Sequence, residues 1–587
     1  MIKNLLKRNY SNLTGGQIIY NKLLENNVEH VWMSTGGAVM PLIDAFYQGK
    51  INYYLPSHEQ SGGHSAAGYA KSTGKPGISI VTSGPGFTNS LTPLTDAMND
   101  SVPFILLSGQ VPLATMGTLA FQECPSVEMS KPVTKWSVLA DDINNLSEII
   151  DEAFKVATSG KPGAVHIDLP KCVTSSKTDY VFHQKTYESN IIKNIEYDKI
   201  INIINLIDNS KKPIILLGQG CNNYPSLVRF FAKNCNIPVT TTIHAMGCFD
   251  EEDDLSLQFL GMHGSAVANY SIQEADLIIA LGTRFDDRIT GKVSTFAPEC
   301  YKAYNENRGG IIHVNINEKE INYVLDSHYN FNMDVGDFLI NILPYISFIN
   351  RNEWFNTINQ WKNKHPFYYN KSKTGMKTQQ VIEEINNSLL RNNFKDYFVS
   401  TGVGNHQMMA AQFIKWKYPK SFISSGSLGT MGVGLPYAIG CQIGNPDKLV
   451  IDIDGDGSFN HSLHELKTVK DYNLPIKIAV MNDAKLSMVQ AWEQLFYQER
   501  YTATDLGKNP NYVALAESFG IKAIRCKNAS ELPGFIDYFL NYDGPILADF
   551  RVESDLCLPL VAPGSALDNM ILKDSKIEVD TNMMPPG

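Results

Sequence analysis

Two acidic strand endings define the chemistry open to this chain. The apolar run at 449–453 leads into Gly455-Asp456-Gly457-Ser458 and then a helical stretch. Twenty-seven residues after Asp456, a second apolar run at 476–481 has ended at Asn482-Asp483. Neighbouring parallel strands would set Asp456 and Asp483 side by side at their carboxyl ends. Two hard oxygen ligands there suit Mg²⁺, which takes a few protein oxygens and completes its octahedron with phosphate and water. The flanking glycines let backbone N–H groups approach a phosphate at a helix N-terminus. Gly-Asp-Gly alone reads as a common strand-ending turn, and the second acidic ending at this spacing favours the metal–phosphate reading. A third acid, Glu59, follows the run at 51–55 and opens a helix of small residues, Ser61-Gly-Gly-His-Ser-Ala-Ala-Gly-Tyr-Ala-Lys71. Taken alone, Glu59 is what the positive end of a helix favours.

These groups need strands to carry them, and the chain offers three segments in which short apolar runs alternate with helical patterns. The first, 12–175, has strand candidates at 77–81, 104–107 and 164–169. The second, 195–345, has them at 213–217, 277–281 and 311–316. The third, 378–560, has them at 397–400, 449–453 and 476–481. A polar stretch at 174–193 reads as a linker, a Lys/Asn-rich connector spans 350–377, and 561–587 is a C-terminal tail. The expected fold class is therefore α/β, with three doubly wound parallel sheets. The length of 587 residues allows three to four domains. With 43% hydrophobic and 19% charged residues the chain is neither disordered nor coiled-coil. A net charge of −10, without long runs of one sign, argues against nucleic-acid partners and a basic membrane-binding face. No eighteen-residue apolar stretch is present, so no membrane span is expected. The nine cysteines are dispersed with no CxxC pair, which suits reduced core residues rather than zinc or disulfides. Lys3, Lys7 and Arg8 make the N-terminus basic without an apolar core, as in a disordered extension of a cytoplasmic protein or a very short organellar presequence.

Gly455-Asp456-Gly457 followed by Asn482-Asp483 resembles the thiamine-diphosphate motif. A longer ordered series resembles the acetohydroxyacid (acetolactate) synthase catalytic subunits: Val81-Thr-Ser-Gly-Pro-Gly86, Gly109-Gln-Val-Pro112, Ala120-Phe-Gln-Glu123 and Ala157-Thr-Ser-Gly-Lys-Pro-Gly163. It continues through Gly261-Met-His-Gly264, Arg284-Phe-Asp-Asp-Arg288, Thr401-Gly-Val-Gly404, Gly429-Thr-Met-Gly432, Met488-Val489, Trp492 and Leu495-Phe-Tyr497. Each motif is weak alone, but the ordered set covers nearly the whole chain and is specific.

The resemblance implies a pyrimidine-binding domain at 12–175, an FAD-binding-like domain at 195–345 and a diphosphate- and Mg²⁺-binding domain at 378–560. It implies decarboxylation of pyruvate and transfer of the hydroxyethyl unit to a second 2-oxoacid, the first common step of branched-chain amino acid biosynthesis. Glu59 would protonate the aminopyrimidine N1′, so that the 4′-nitrogen takes the cofactor's C2 proton; Gln122 and Lys171 join it as catalytic residues. Val403, Gly404, His406, Gly429, Met431, Gly455, Asp456, Gly457, Ser458 and Met488 would hold thiamine diphosphate. Asp456, Asp483 and the Lys485 carbonyl would bind Mg²⁺. Phe121, Gln122, Met488, Val489 and Trp492 would line the substrate entrance. Arg288 would anchor the acceptor carboxylate, although it could also simply pair with Asp286 or Asp287. The flavin set is Asp100, Lys161, Gly218, Gln219, Gly220, Thr242, Ile243, Leu260, Gly261, Met262, His263, Gly282, Thr283, Arg284, Asp286, Arg288 and Asp337. FAD would be structural. A homodimer or dimer of dimers is implied, with Glu59 of one subunit completing the other's site, together with a possible small regulatory subunit. The chain departs from the family at Asn315, where an acid is usual, at Asp483, where Asn is common, and at Leu486-Ser487, which replace a common Gln-Gly. Alternatives are a pyruvate oxidase, a flavin-free catabolic acetolactate synthase, or a scaffold whose chemistry has decayed.

Overall fold

Runs such as Gly77–Val81 and Leu277–Leu281 are buried at every position. A strand reaches that state only inside a sheet covered by helices on both faces. The computed structural model describes residues 9–181, 192–573 and 575, and its main framework is three wholly parallel six-stranded sheets. The first is ordered Asn52–Tyr54, His30–Met33, Gly77–Val81, Phe104–Gln110, Ala164–Pro170, Trp136–Leu139. The third is ordered Phe422–Ile423, Phe398–Thr401, Val450–Gly455, Lys477–Asn482, Ile546–Arg551, Lys522–Cys526. Counting strands along the chain, both sheets run 2-1-3-4-6-5. The middle sheet, built from strands between Pro213–Leu217 and Tyr329–Asn332, runs 3-2-1-4-5-6, the dinucleotide-binding order.

Three connecting segments differ from expectation. Part of the expected linker, Lys177–Val181, is a strand pairing antiparallel with Asn9–Thr14; the rest, at 182–191, and the basic residues 1–8 lie outside the described residues. The Lys/Asn-rich connector holds the helix Asn352–Lys364, because Trp354 and Ile358, one turn apart, are buried against the middle domain. The start of the tail packs rather than trails: Leu560–Val561 pairs with Met570–Ile571, and Leu567 is buried in the middle domain's core. Among the described residues no helix is long and apolar enough to cross a membrane.

The first and third domains meet through the small-residue helix Glu59–Thr73 and the helix Gly434–Gly444. A Cβ on Gly68 would lie 2.5 Å from the Tyr437 carbonyl oxygen, so glycine sets how closely the backbones approach. All three domains converge on Asp100. Lys71 donates to one of its oxygens at 2.6 Å and His244 contacts the other at 3.1 Å, while the Gly426 and Ser427 N–H groups cap it. Arg284 of the middle domain completes this junction by donating to the Asn99 carbonyl and to Ser427 Oγ, both at 2.6 Å.

Candidate active site

The sheet order of the third domain reverses between Phe398–Thr401 and Val450–Gly455, and a cleft opens outside the carboxyl ends of those strands. Val403, Gly404, His406, Met431, Gly455, Asp456, Gly457, Ser458 and Met488 line it together with Asp483, Lys485 and Val489. Gly429 stands just behind, its N–H donating to Ser425 Oγ at 3.1 Å in a left-handed turn with φ +72°. The helix Asn405–Phe413 begins at Gly404 with no side chain capping its first N–H groups, which leaves them for an anion. A Cβ on Gly455 would sit 2.6 Å from His406 Nδ1, so glycine is what lets this strand end lie against the imidazole.

Asp456 and Asp483 stand at the ends of adjacent strands. Burial, and then the charge of Asp483, push the Asp456 carboxyl up to about 7. Among the described residues neither carboxylate has a Lys, Arg or His partner, and an uncompensated pair of this kind suits a divalent cation. Asp456 Oδ2 instead accepts the Ala484 N–H at 2.7 Å and Asn509 Nδ2 at 2.6 Å. Beneath the cleft, burial and the neighbouring Asp454 push the Asp452 carboxyl well up. Sequence reasoning missed Asn509, Ser487 and Ser554 as partners of the two acids. The Asn509-Pro510 dipeptide before a helix was the one local signal for the first; Ser487 stood out only as a departure from the family's common glycine, and Ser554 had no signal.

Glu59 does not line this cleft within one chain. It opens its helix half-buried and accepts from Asn89 Nδ2 at 3.1 Å. Phe121 and Gln122 also stand apart. Their loop carries Leu119 and Phe121 at 97% and 87% exposure, and Gln122 is held at φ +61°. The loop is pinned from below: Gln110 Nε2 donates to the Cys124 carbonyl at 2.9 Å and to Asp168 at 2.8 Å, and Ser126 donates to the same carboxylate. Burial holds that carboxyl up, at about 6. Lys171 begins the short helix after the strand Ala164–Pro170 and is exposed. Trp492 lies one turn beyond Met488 on the helix Ser487–Phe496.

Most of the expected flavin residues gather at the carboxyl ends of the middle sheet. Gly218, Gln219 and Gly220 follow the strand Pro213–Leu217, Thr242 and Ile243 follow Val239–Thr241, and Leu260, Gly261, Met262 and His263 follow Ser256–Phe259. Gly282, Thr283, Arg284 and Asp286 follow Leu277–Leu281, and Asp337 lies in the first turn of Val335–Ile342. Thr241 Oγ1, Asn222 Oδ1 and Asp286 Oδ1 are buried here with no partner among the described residues, which suits a polar ligand. Asp100 is occupied elsewhere, in the three-domain junction, whereas Lys161 pairs with Glu320 beside these sheet ends. Asn315 Nδ2 donates to the Thr283 carbonyl at 2.9 Å and to Glu320 at 3.1 Å, so Glu320 supplies a carboxylate at this corner. Arg288 is exposed, 3.4 Å from Asp287, whereas Asp286 pairs with Arg284 at 3.2 Å.

Family models match all three domains: the thiamine pyrophosphate enzyme N-terminal TPP binding domain over 13–129, the central domain over 200–342 and the C-terminal TPP binding domain over 402–550. The chain is 43% identical over 586 residues to the mitochondrial acetolactate synthase catalytic subunit of Saccharomyces cerevisiae, covering 96% of this chain and 85% of that one. It is 38% identical to the chloroplastic acetolactate synthase of Arabidopsis thaliana, covering 96% and 85%. It is 36% identical to the acetolactate synthase isozyme 2 large subunit of Escherichia coli, covering 96% and 100%. Matches of this extent, over a glycine cradle with two facing acids, establish the family: the chain belongs to the acetolactate synthase catalytic subunits of the thiamine pyrophosphate enzymes.

Proposed function

We propose that the protein decarboxylates pyruvate and joins the resulting two-carbon unit to a second 2-oxoacid, pyruvate or 2-oxobutanoate, on the way to the branched-chain amino acids. The observation that carries this reading is the cleft that gathers Gly404, Gly455, Asp456 and Asp483 in a chain of this family. Thiamine diphosphate, when bound, supplies the nucleophilic carbon and the electron sink for decarboxylation. The uncapped helix at Asn405 and the glycine turn hold the diphosphate. Asp456 and Asp483, with the Lys485 carbonyl, hold Mg²⁺ against it. Met431 supports the cofactor from the cleft wall. Glu59 holds a proton at the aminopyrimidine N1′. Arg288 receives the acceptor carboxylate, and Trp492 rewards the extra methylene of 2-oxobutanoate by about 1–3 kcal/mol. Gln122, Lys171 and Phe121 complete the substrate side.

Because Glu59 and the Phe121 loop stand away from the cleft of their own chain, we assign them to the cleft of a second copy, which makes a homodimer the minimal enzyme. The terms "catalytic subunit" and "large subunit" in the relatives' names support a separate regulatory partner. FAD belongs in the middle domain, at the orphaned polar atoms of its sheet ends, as a structural group. All nine cysteines are free, which suits a reducing aqueous compartment, the cytosol or an organelle interior.

The test incubates purified protein with pyruvate, thiamine diphosphate, Mg²⁺ and FAD, and assays acetoin after acid decarboxylation. Wild type is expected to form acetoin and Glu59→Gln to lose at least about 100-fold in rate. No acetoin from wild type contradicts the function and favours the decayed scaffold; an unimpaired variant contradicts the role of Glu59.

A further inference from the structure

Two serines outside the expected cofactor set converge on Asp483. Ser487 opens the ten-residue helix Ser487–Phe496, and its hydroxyl donates to Asp483 Oδ2. Ser554, three residues beyond the strand Ile546–Arg551, donates to the same oxygen at 2.9 Å, and the two hydroxyls lie 3.4 Å apart. Asp483 Oδ1 is less engaged, accepting the Lys485 N–H at 3.1 Å. One oxygen is therefore shared by two hydroxyls while the other keeps acceptor capacity in a residue that lines the cleft.

This arrangement gives physical sense to two features of the sequence at once. An Asp at 483 brings a full negative charge beside Asp456, and a Ser at 487 supplies a donor one helical turn later that a glycine lacks. Hydroxyls on Oδ2 offset part of the repulsion between the two carboxylates and fix the plane of the Asp483 group. A fixed plane matters because Mg²⁺ demands near-ideal octahedral geometry, and partners behind a metal ligand hold it in register.

We propose that Ser487 and Ser554 are positioning residues for Asp483, anchoring its Oδ2 so that Oδ1 serves as a one-oxygen ligand to the Mg²⁺ that accompanies thiamine diphosphate. The proposal rests on the metal site assigned above and adds the groups that orient it. Ser487 acts only through Asp483, so its contribution depends on the carboxylate being there.

The test titrates Mg²⁺ by calorimetry into metal-free full-length protein holding saturating thiamine diphosphate. Wild type, Ser487→Ala, Asp483→Asn and the double variant form a cycle, with Ser554→Ala as a further single. Ser487→Ala is expected to weaken Mg²⁺ binding about tenfold, and the same change in the Asp483→Asn background to cost roughly twofold or less. The thermal midpoint of the cofactor-free protein should be the same with and without the Ser487 hydroxyl. Unchanged Mg²⁺ affinity in Ser487→Ala overturns the proposal, and so does an equal loss in both backgrounds, which would mark a merely structural serine. A wild type that binds no Mg²⁺ with thiamine diphosphate overturns the underlying site assignment instead.

Discussion

Glu251 shows how a single group can set pH behaviour away from the active site. Its backbone N–H donates to the Trp416 carbonyl at 3.0 Å, and its carboxylate receives the Trp416 N–H at 3.4 Å, where the middle domain meets the third. Burial pushes the carboxyl up to about 8, against the pull of Lys415. The folded value lies above the ordinary 4.5, so the folded chain binds more protons than the unfolded one between those limits. The contribution of this one group to stability is thus fully present below about 4.5 and is lost as pH rises through about 8. Thermal midpoints measured from pH 5 to 9 should fall less steeply in Glu251→Gln than in wild type; parallel curves would contradict this. At the residue scale the acids that name the site, Asp456 and Asp483, were legible because each ends an apolar run. Their partners were not. Asn509 and Ser554 lie 53 and 71 residues from the acids they serve, and only the fold brings them back.

Among the elements, the helix pair Glu59–Thr73 and Gly434–Gly444 is the joint that sets Glu59 relative to the third domain. A Cβ on Gly440 would run into the Ser65 carbonyl and come within 2.7 Å of the Tyr69 nitrogen. Gly440→Leu should therefore cost roughly 3 kcal/mol, the upper end for overpacking, and expose the joint to protease. Gly534→Ala, where an added Cβ meets nothing within 4 Å, is the control expected to be neutral or better. Denaturation midpoints and limited proteolysis would check both, and a Gly440→Leu protein as stable as wild type would refute the close approach. The long buried strands were readable as apolar runs, whereas Val239–Thr241 and Phe422–Ile423, of three and two residues, are too short to show a pattern. The connector helix was hidden because its exposed face supplies the Lys and Asn residues that made it look like a linker.

On the scale of the whole molecule, two domains share the order 2-1-3-4-6-5 and flank a middle domain of order 3-2-1-4-5-6. Strand order was beyond reach, since it depends on which apolar runs pair rather than on where they lie. The shared order gives each outer domain a switch point; the third opens its cleft there, whereas in the first Glu59 follows the strand Asn52–Tyr54 and the exposed Phe121 loop follows Phe104–Gln110. In the proposed homodimer a second copy brings the two halves together, and the result should be a carboligase rather than an oxidase. The most direct test follows ¹³C-labelled pyruvate by NMR in the presence of thiamine diphosphate, Mg²⁺, FAD and oxygen. Two pyruvates should be consumed for each CO₂ released, with acetolactate as product and no peroxide. One CO₂ for every pyruvate, with peroxide and an acetyl product, would contradict it.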